Sequence, residues 1–208
     1  MQAHLDNWSL VLVGAWNRAI FTPDWLTRTL RLGAPVEIEF PIGNPFLPVR
    51  YNLQGVRLVV VASNLILAPA ADDPAVLEKM ERFATAILEA LGHTPLTAVG
   101  LNFEFVEDDP EEPLRALFRS PDLRKFAELD FAVVGTELRR QLRQNQDDVL
   151  NLRLALTDGN RVSANLNFHR DVEGATAAAA YLAGRVVRAR ELSVRLLRDA
   201  YELELGED

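Results

Sequence analysis

The sequence predicts an α+β fold of two similar halves, in which an antiparallel-rich sheet is packed by helices. Short runs with apolar residues at every second position, typical of half-buried strands, recur along the 208 residues. Two long segments predict helices, because 74–91 has apolar residues at helical spacing and 174–202 is rich in alanine. The same order of elements then occurs twice: a strand, a short helix, a strand, a hairpin and a long helix.

The first half begins with an apolar strand at 8–15, followed by a short helix at 23–31. Thr22 can accept a hydrogen bond from the free N–H groups at the start of this helix. Pro23 suits the first helical position, where its missing N–H is not needed. Gly33 marks where the helix should stop.

A strand, a hairpin and a long helix complete the first half. Residues 36–40 alternate apolar and acidic side chains and predict the strand, and a Pro/Gly-rich loop follows at 41–48. The hairpin pairs 54–64 with 65–70. The helix at 74–91 is preceded by an Asp-Pro pair and followed by a glycine, which are typical helix boundaries.

The second half repeats this order. A strand is predicted at 97–107, and acidic residues and prolines then start a short helix within 108–120. Ser120, Pro121 and Asp122 cap a further turn. Residues 131–138 predict the next strand, which the polar 139–143 can continue.

The hairpin at 148–170 has the clearest pattern of the chain. Apolar and polar residues alternate strictly on both sides of a Thr-Asp-Gly-Asn turn at 157–160. A one-residue slip would bury the whole polar set, so the register should be firmly fixed. The predicted core face carries Leu150, Leu152, Leu154, Leu166 and Phe168, and the predicted polar face carries Asn151, Arg153, Asn165, Asn167 and His169.

The repeated element order predicts an internal duplication with halves at 1–96 and 97–208, packed as one compact unit. Asn64 and Asn160 are 96 residues apart, and so are Val36 and Ala132. In element order the chain resembles the two-lobed saddle of TATA-binding proteins, which implies a pseudo-two-fold arrangement. The resemblance is one of shape, and the acidic charge argues against the DNA-binding role of that family.

Composition narrows the classes of function. The net charge of −8 argues against a general nucleic-acid binder, leaving only the arginines near the C-terminus, Arg185, Arg188 and Arg195, as a candidate phosphate-binding stripe. There is no cysteine, so disulfides and thiolate sites are excluded. No apolar run is long enough to span a membrane, and the first residues lack a signal-peptide pattern. We therefore expect a cytoplasmic protein.

All three tryptophans lie in the first 25 residues, at Trp8, Trp16 and Trp25. A strand and a short helix have little apolar area of their own, and large aromatic rings supply it. We expect the rings to fasten the first helix to the sheet, with Phe21 and Trp25 mostly buried. The alternative is that Trp25 is an exposed anchor for a partner, because Trp is enriched in binding hot spots.

No strong catalytic or cofactor motif occurs in the chain, and no cofactor is expected. Glu104 and His169 are the candidate catalytic residues, since a carboxylate beside a histidine can tune it for acid–base work. That pair would suit a hydrolase. Acidic clusters, such as Asp147-Asp148, suggest a metal-dependent nuclease, although carboxylates also favour helix starts and turns.

The leading function is a non-catalytic binding or regulatory subunit that acts through contact with a protein partner or a second copy. Its binding residues would be the polar face of the hairpin, with Arg153 as anchor because its planar fork pairs with carboxylates, together with Trp25. The alternatives are the enzyme centred on Glu104 and His169, and a small-molecule-binding α+β cup. An open sheet face or an exposed apolar patch would favour the first reading, and a concave pocket the others.

Overall fold

The computed structural model describes residues 1–208 except 42–46, 144–147, 158–159, 204 and 207–208. The described residues form an α+β fold with a ten-stranded antiparallel sheet and six α-helices. The strands are β1 (Gln2–Ala3), β2 (Ser9–Gly14), β3 (Glu37–Glu39), β4 (Arg50–Asn52), β5 (Val56–Val60), β6 (Asn64–Pro69), β7 (Leu96–Asp108), β8 (Gly135–Arg143), β9 (Val149–Thr157) and β10 (Arg161–Asp171). The helices are α1 (Pro23–Leu30), α2 (Pro74–Ala90), α3 (Glu112–Ala116), α4 (Leu123–Glu128), α5 (Gly174–Leu182) and α6 (Arg185–Tyr201).

The strands follow the order β3-β4-β5-β6-β2-β7-β10-β9-β8, and the short β1 also pairs with β7. Every pairing is antiparallel. The long strand β7 lies near the middle, with β2 and β1 on one side and β10 on the other. The two ends of the sheet are β3 and β8.

Alternation along the strands separates a core face from a second face. In the β9–β10 hairpin Leu152 lies opposite Leu166, which in turn lies opposite Phe103 of β7. These side chains are buried, and helices α2, α5 and α6 contact the sheet. The predicted core set Leu150, Leu152, Leu154, Leu166 and Phe168 is confirmed as buried. Residues 158–159 of the turn predicted at 157–160 lie outside the described residues. The same is true of residues 42–46 in the loop predicted at 41–48.

The single long helix predicted at 174–202 is wrong, because the structure has two helices that meet at Gly184. This glycine adopts φ +64°, a left-handed conformation that interrupts an α-helix and that glycine tolerates best. The carboxylate of Glu81 on α2 accepts backbone hydrogen bonds from Gly184, Arg185 and Val186, at 2.7, 2.8 and 3.0 Å. A residue of the neighbouring helix α2 thus caps the N-terminus of α6. The sequence around α6 alone does not reveal this capping residue.

The predicted strand at 131–138 begins later than expected. β8 starts at Gly135 and runs to Arg143, so the polar residues are in the strand and most of the apolar ones precede it. Phe131, Val133 and Val134 are exposed. These apolar residues gave the strand signal, but they lie in the segment that leads from α4 into the sheet edge.

The aromatic residues of the first 25 positions form two groups. Trp8 is 1% exposed, donates to the backbone oxygen of Glu104 at 2.7 Å, and meets Phe103 and Phe105 edge to face. Phe21 is buried as predicted and lies between the rings of Trp16 and Trp25. Trp25 packs against the core but is less completely buried than Leu26 and Leu30, which form the core-facing side of α1. Most of the Trp25 surface is therefore buried, as expected, and the ring is not a fully exposed anchor.

Candidate functional site

The face of the sheet opposite the leucine core carries the polar residues proposed from the hairpin pattern. A ladder of side-chain hydrogen bonds crosses it over five strands. Asn102 donates to Ser9 at 3.0 Å, and Asn167 donates to Asn102 at 2.8 Å. Asn151 donates to Asn167 at 3.0 Å, and Gln141 donates to Asn151 at 3.2 Å. The sequence pattern placed Asn102, Asn151 and Asn167 on one face, and the ladder adds Ser9 and Gln141, which the pattern did not indicate.

The ladder arises because five polar residues occupy one row of the sheet. Ser9 lies opposite Asn102, Asn102 opposite Asn167, Asn167 opposite Asn151, and Asn151 opposite Gln141. Directly opposed side chains on one sheet face come within hydrogen-bonding reach. Each amide donates one hydrogen bond to its neighbour, so many of the hydrogen-bonding groups of this row already have partners within the chain.

Arg153, the expected anchor, forms an ion pair with Glu137 of β8, which also pairs with Arg139 at 2.8 Å. Hydrogen bonds from Arg153, then from Arg139, hold the pKa of the Glu137 carboxyl below its ordinary value. The same pair raises the pKa of Arg153. The Arg153 side chain is still 50% exposed, so part of its guanidinium remains open to solvent.

Glu104 and His169 lie on the same sheet face but have different partners. Glu104 is opposite Asn165 in the register, and His169 is opposite Gly100. This four-residue offset separates them by roughly 13 Å, because a strand rises about 3.3 Å per residue. The structure therefore does not bring this pair together as an acid–base site.

Each of the two has a closer neighbour. The carboxylate of Glu104 contacts His4 Nδ1 at 2.7 Å and also bonds Asn7, whereas His169 contacts Asp171 at 3.1 Å. His4 was not among the residues predicted for this site. It reaches Glu104 because the chain after β1 continues beside β7, with the His4 N–H donating to the Glu104 backbone oxygen at 2.9 Å.

The C-terminal arginines do not form one free stripe. Arg185 and Arg170 both contact the buried Asp148, at 3.2 and 3.1 Å, and both stack over the ring of Tyr181. Burial raises the pKa of the Tyr181 hydroxyl. Arg188 and Arg195 are exposed on α6. Arg185 therefore has mainly a structural role, because its ion pair with Asp148 connects α6 to the start of β9.

Exposed large apolar side chains are concentrated in the connection between β7 and β8. Nine such side chains occur among the described residues, and six of them lie within 117–134, a range we call the apolar connector. The six are Leu117, Phe126, Leu129, Phe131, Val133 and Val134. The sequence pattern did not indicate this surface, because the run at 131–134 is part of the predicted strand at 131–138.

Two further observations concern metal binding and membrane-spanning helices. Among the described residues no group of three or more His, Asp and Glu side chains is arranged to hold a metal ion. No helix in the described part of the chain is long and apolar enough to cross a membrane.

No protein-family model matches this chain, and neither does any curated protein at a significant level.

Proposed function

We propose that the protein is a binding or regulatory subunit that acts through protein–protein contact, and that the apolar connector is its main contact surface. The observation that carries this proposal is the concentration of six of the nine exposed large apolar side chains within 117–134. Isolated exposed apolar residues are ordinary on a folded protein, but a concentrated group of them is typical of an interaction site.

The free energy available from burying these side chains is enough for one part of a protein interface. Full burial of a large apolar side chain is worth about 1.5–3 kcal/mol, so six that start about half-exposed would contribute roughly 5–9 kcal/mol. Association of two proteins costs about 4–15 kcal/mol, because translational and rotational freedom is lost. The connector alone would therefore give weak binding, and a stable complex needs additional contacts.

The sheet edge next to the connector can supply such contacts. Val134 leads directly into β8, and β8 ends the strand order, so one side of its backbone has no strand neighbour among the described residues. A partner strand can pair with an open edge through main-chain hydrogen bonds. Arg139, Arg140 and Arg143 on this edge would favour a partner of acidic character.

The polar face of the hairpin takes a smaller part in this proposal. Its amides bond one another, and Arg153 is already paired with Glu137. A partner would have to exchange these contacts for its own, which gives little net gain. Arg153 remains a candidate rim contact, because it is half-exposed and lies two strands from the sheet centre, next to β8.

We further propose that the chain arose by internal duplication. The strand order β4-β5-β6-β2-β7-β10-β9-β8 is palindromic if the first strand of each half, β2 or β7, is taken as equivalent. Each half then continues to a hairpin whose last strand pairs with its first, and ends in helices that contact the sheet. This order supports a pseudo-two-fold axis between β2 and β7.

The test of function compares two variants with equal loss of exposed apolar surface. Phe131 and Phe40 are 65% and 66% exposed, but Phe40 lies near the opposite end of the sheet. Tagged wild type, Phe131→Ser and Phe40→Ser would be isolated from cells of the source organism, and retained proteins quantified. We expect one partner, or a second copy, to be retained by wild type and Phe40→Ser and lost from Phe131→Ser.

Thermal unfolding serves as the control, because substitution of either exposed phenylalanine should change stability by less than about 0.5 kcal/mol. Equal retention by all three proteins would contradict the proposed surface. A wild type that is isolated alone and sediments as a monomer at cellular concentration would contradict the proposed function itself.

A further inference from the structure

A cleft on the first half of the chain carries an excess of positive charge. It lies between the end of α1 and one side of α2, and has a volume of about 760 Å³. Its charged lining residues are Arg28, Arg31, Lys79, Arg82 and Glu89. Four cations and one carboxylate give the cleft three net positive charges, in a chain whose net charge is −8.

None of these four cations has a carboxylate within 4.0 Å among the residues that the structure describes. Arg28 and Lys79 bond backbone oxygens, of Asp24 at 3.3 Å and Gln54 at 2.7 Å. The two guanidinium groups of Arg31 and Arg82 are exposed. The cleft therefore holds cationic donors that the rest of the described chain does not neutralise.

Basic residues in the second half of the chain differ from these four, because most of them form ion pairs. Ten of the fifteen cations in 97–208 form ion pairs. In 1–96, by comparison, none of the seven cations pairs with a described carboxylate, and four of those seven line this one cleft.

The charges converge because one pair lies on α2 and the other at the C-terminal end of α1. Lys79 and Arg82 are three residues apart on α2, so they point to the same side. Arg28 lies in the last turn of α1, and Arg31 is its C-cap residue in a left-handed conformation. Phe83, which also lines the cleft, is buried and forms part of an apolar floor. The C-termini of α1 and α2 both border the cleft, and each offsets about half a positive charge, which leaves a net positive charge.

We propose that this cleft binds the oligophosphate group of a small molecule, a function separate from protein contact through the apolar connector. A single carboxylate would neutralise one of the three excess charges, whereas a chain of two or three phosphates carries three or four negative charges. The arginine fork matches the geometry of phosphate oxygens, and lysine binds phosphate as a point charge. The cleft volume falls within the range of roughly 300–1,000 Å³ found for ligand sites.

The test uses tripolyphosphate and ATP as probes, with citrate as a carboxylate control, in calorimetric titrations of the full chain at low salt. We expect both phosphate probes to bind and citrate to bind at least tenfold more weakly. Tighter binding of ATP than of tripolyphosphate would identify a nucleotide as the source of the phosphates, and equal binding would identify the free oligophosphate. Because three of the four cations are exposed, binding should weaken several-fold as salt rises to 0.5 M.

Two double variants with the same change of charge locate the binding. Lys79→Gln with Arg82→Gln removes two cations from the cleft, and Arg188→Gln with Arg195→Gln removes two exposed cations from α6. We expect the first variant to bind tripolyphosphate at least tenfold more weakly and the second to bind like wild type. Equal losses in both variants, no binding to wild type at millimolar probe, or citrate binding as tight as tripolyphosphate would each overturn the proposal.

Discussion

Replacement of Glu81 by alanine should destabilise the protein substantially, because this carboxylate caps a helix to which it does not belong. It accepts hydrogen bonds from three consecutive N–H groups at the start of α6, at 2.7, 2.8 and 3.0 Å. Loss of an N-cap costs about 0.5–2 kcal/mol, and hydrogen bonds to charged groups are worth about 1.5–3 kcal/mol each without being additive. We therefore expect a loss of about 2–3 kcal/mol.

Calorimetry or thermal denaturation followed by circular dichroism measures this effect. For a chain of this length about 1 kcal/mol corresponds to 2–4 °C, so the melting temperature should fall by roughly 4–12 °C. Glu78→Ala is the matched control, since Glu78 is exposed on the same helix and has no side-chain partner among the described residues. A Glu81→Ala protein that melts with the Glu78→Ala control would refute the argument that α2 caps α6.

Three further predictions concern the sheet face and the aromatic residues. Asn167→Ala removes the middle of the amide ladder and should cost about 1–2 kcal/mol in urea unfolding, because two half-buried amides lose a partner. The lowered pKa of Glu137 means that its stabilising contribution is present above the unfolded pKa and is lost as pH falls through the folded pKa. In an NMR titration the pKa of Glu137 should lie below that of an ordinary glutamate, and Arg153→Ala should raise it. Trp8→Ala should cost about 3–5 kcal/mol and Trp25→Ala distinctly less, since only Trp8 is fully buried, and similar urea midpoints for the two variants would contradict this difference.

Local patterns were sufficient to predict the elements whose signals are contained in a short window. The alternation of 148–170 predicted both strands of the hairpin and their buried face, because period two leaves only two possible faces. Thr22 and Asp73 accept the predicted N-terminal hydrogen bonds of α1 and α2, from Trp25 and Ala75. The α+β class followed from the order of these elements.

The features that could not be predicted depend on residues distant in the chain. The end of α5 is set by Gly184 together with Glu81, which lies about a hundred residues earlier. The neighbour of Glu104 is His4 rather than His169, because only the strand order brings the N-terminal residues beside β7. In the same way, an apolar run such as 131–134 looks alike whether it enters a core or remains on the surface, and tertiary packing alone decides between them.

A photo-crosslinking residue at position 131 tests the central claim, that the apolar connector is the contact surface, most directly. Position 40 is the matched control, because the two phenylalanines are equally exposed and lie at different places on the sheet. After illumination in cells of the source organism, we predict a discrete adduct from position 131, with one protein partner or a second copy, and little from position 40. Equal adducts from both positions, or none from position 131, would contradict the account.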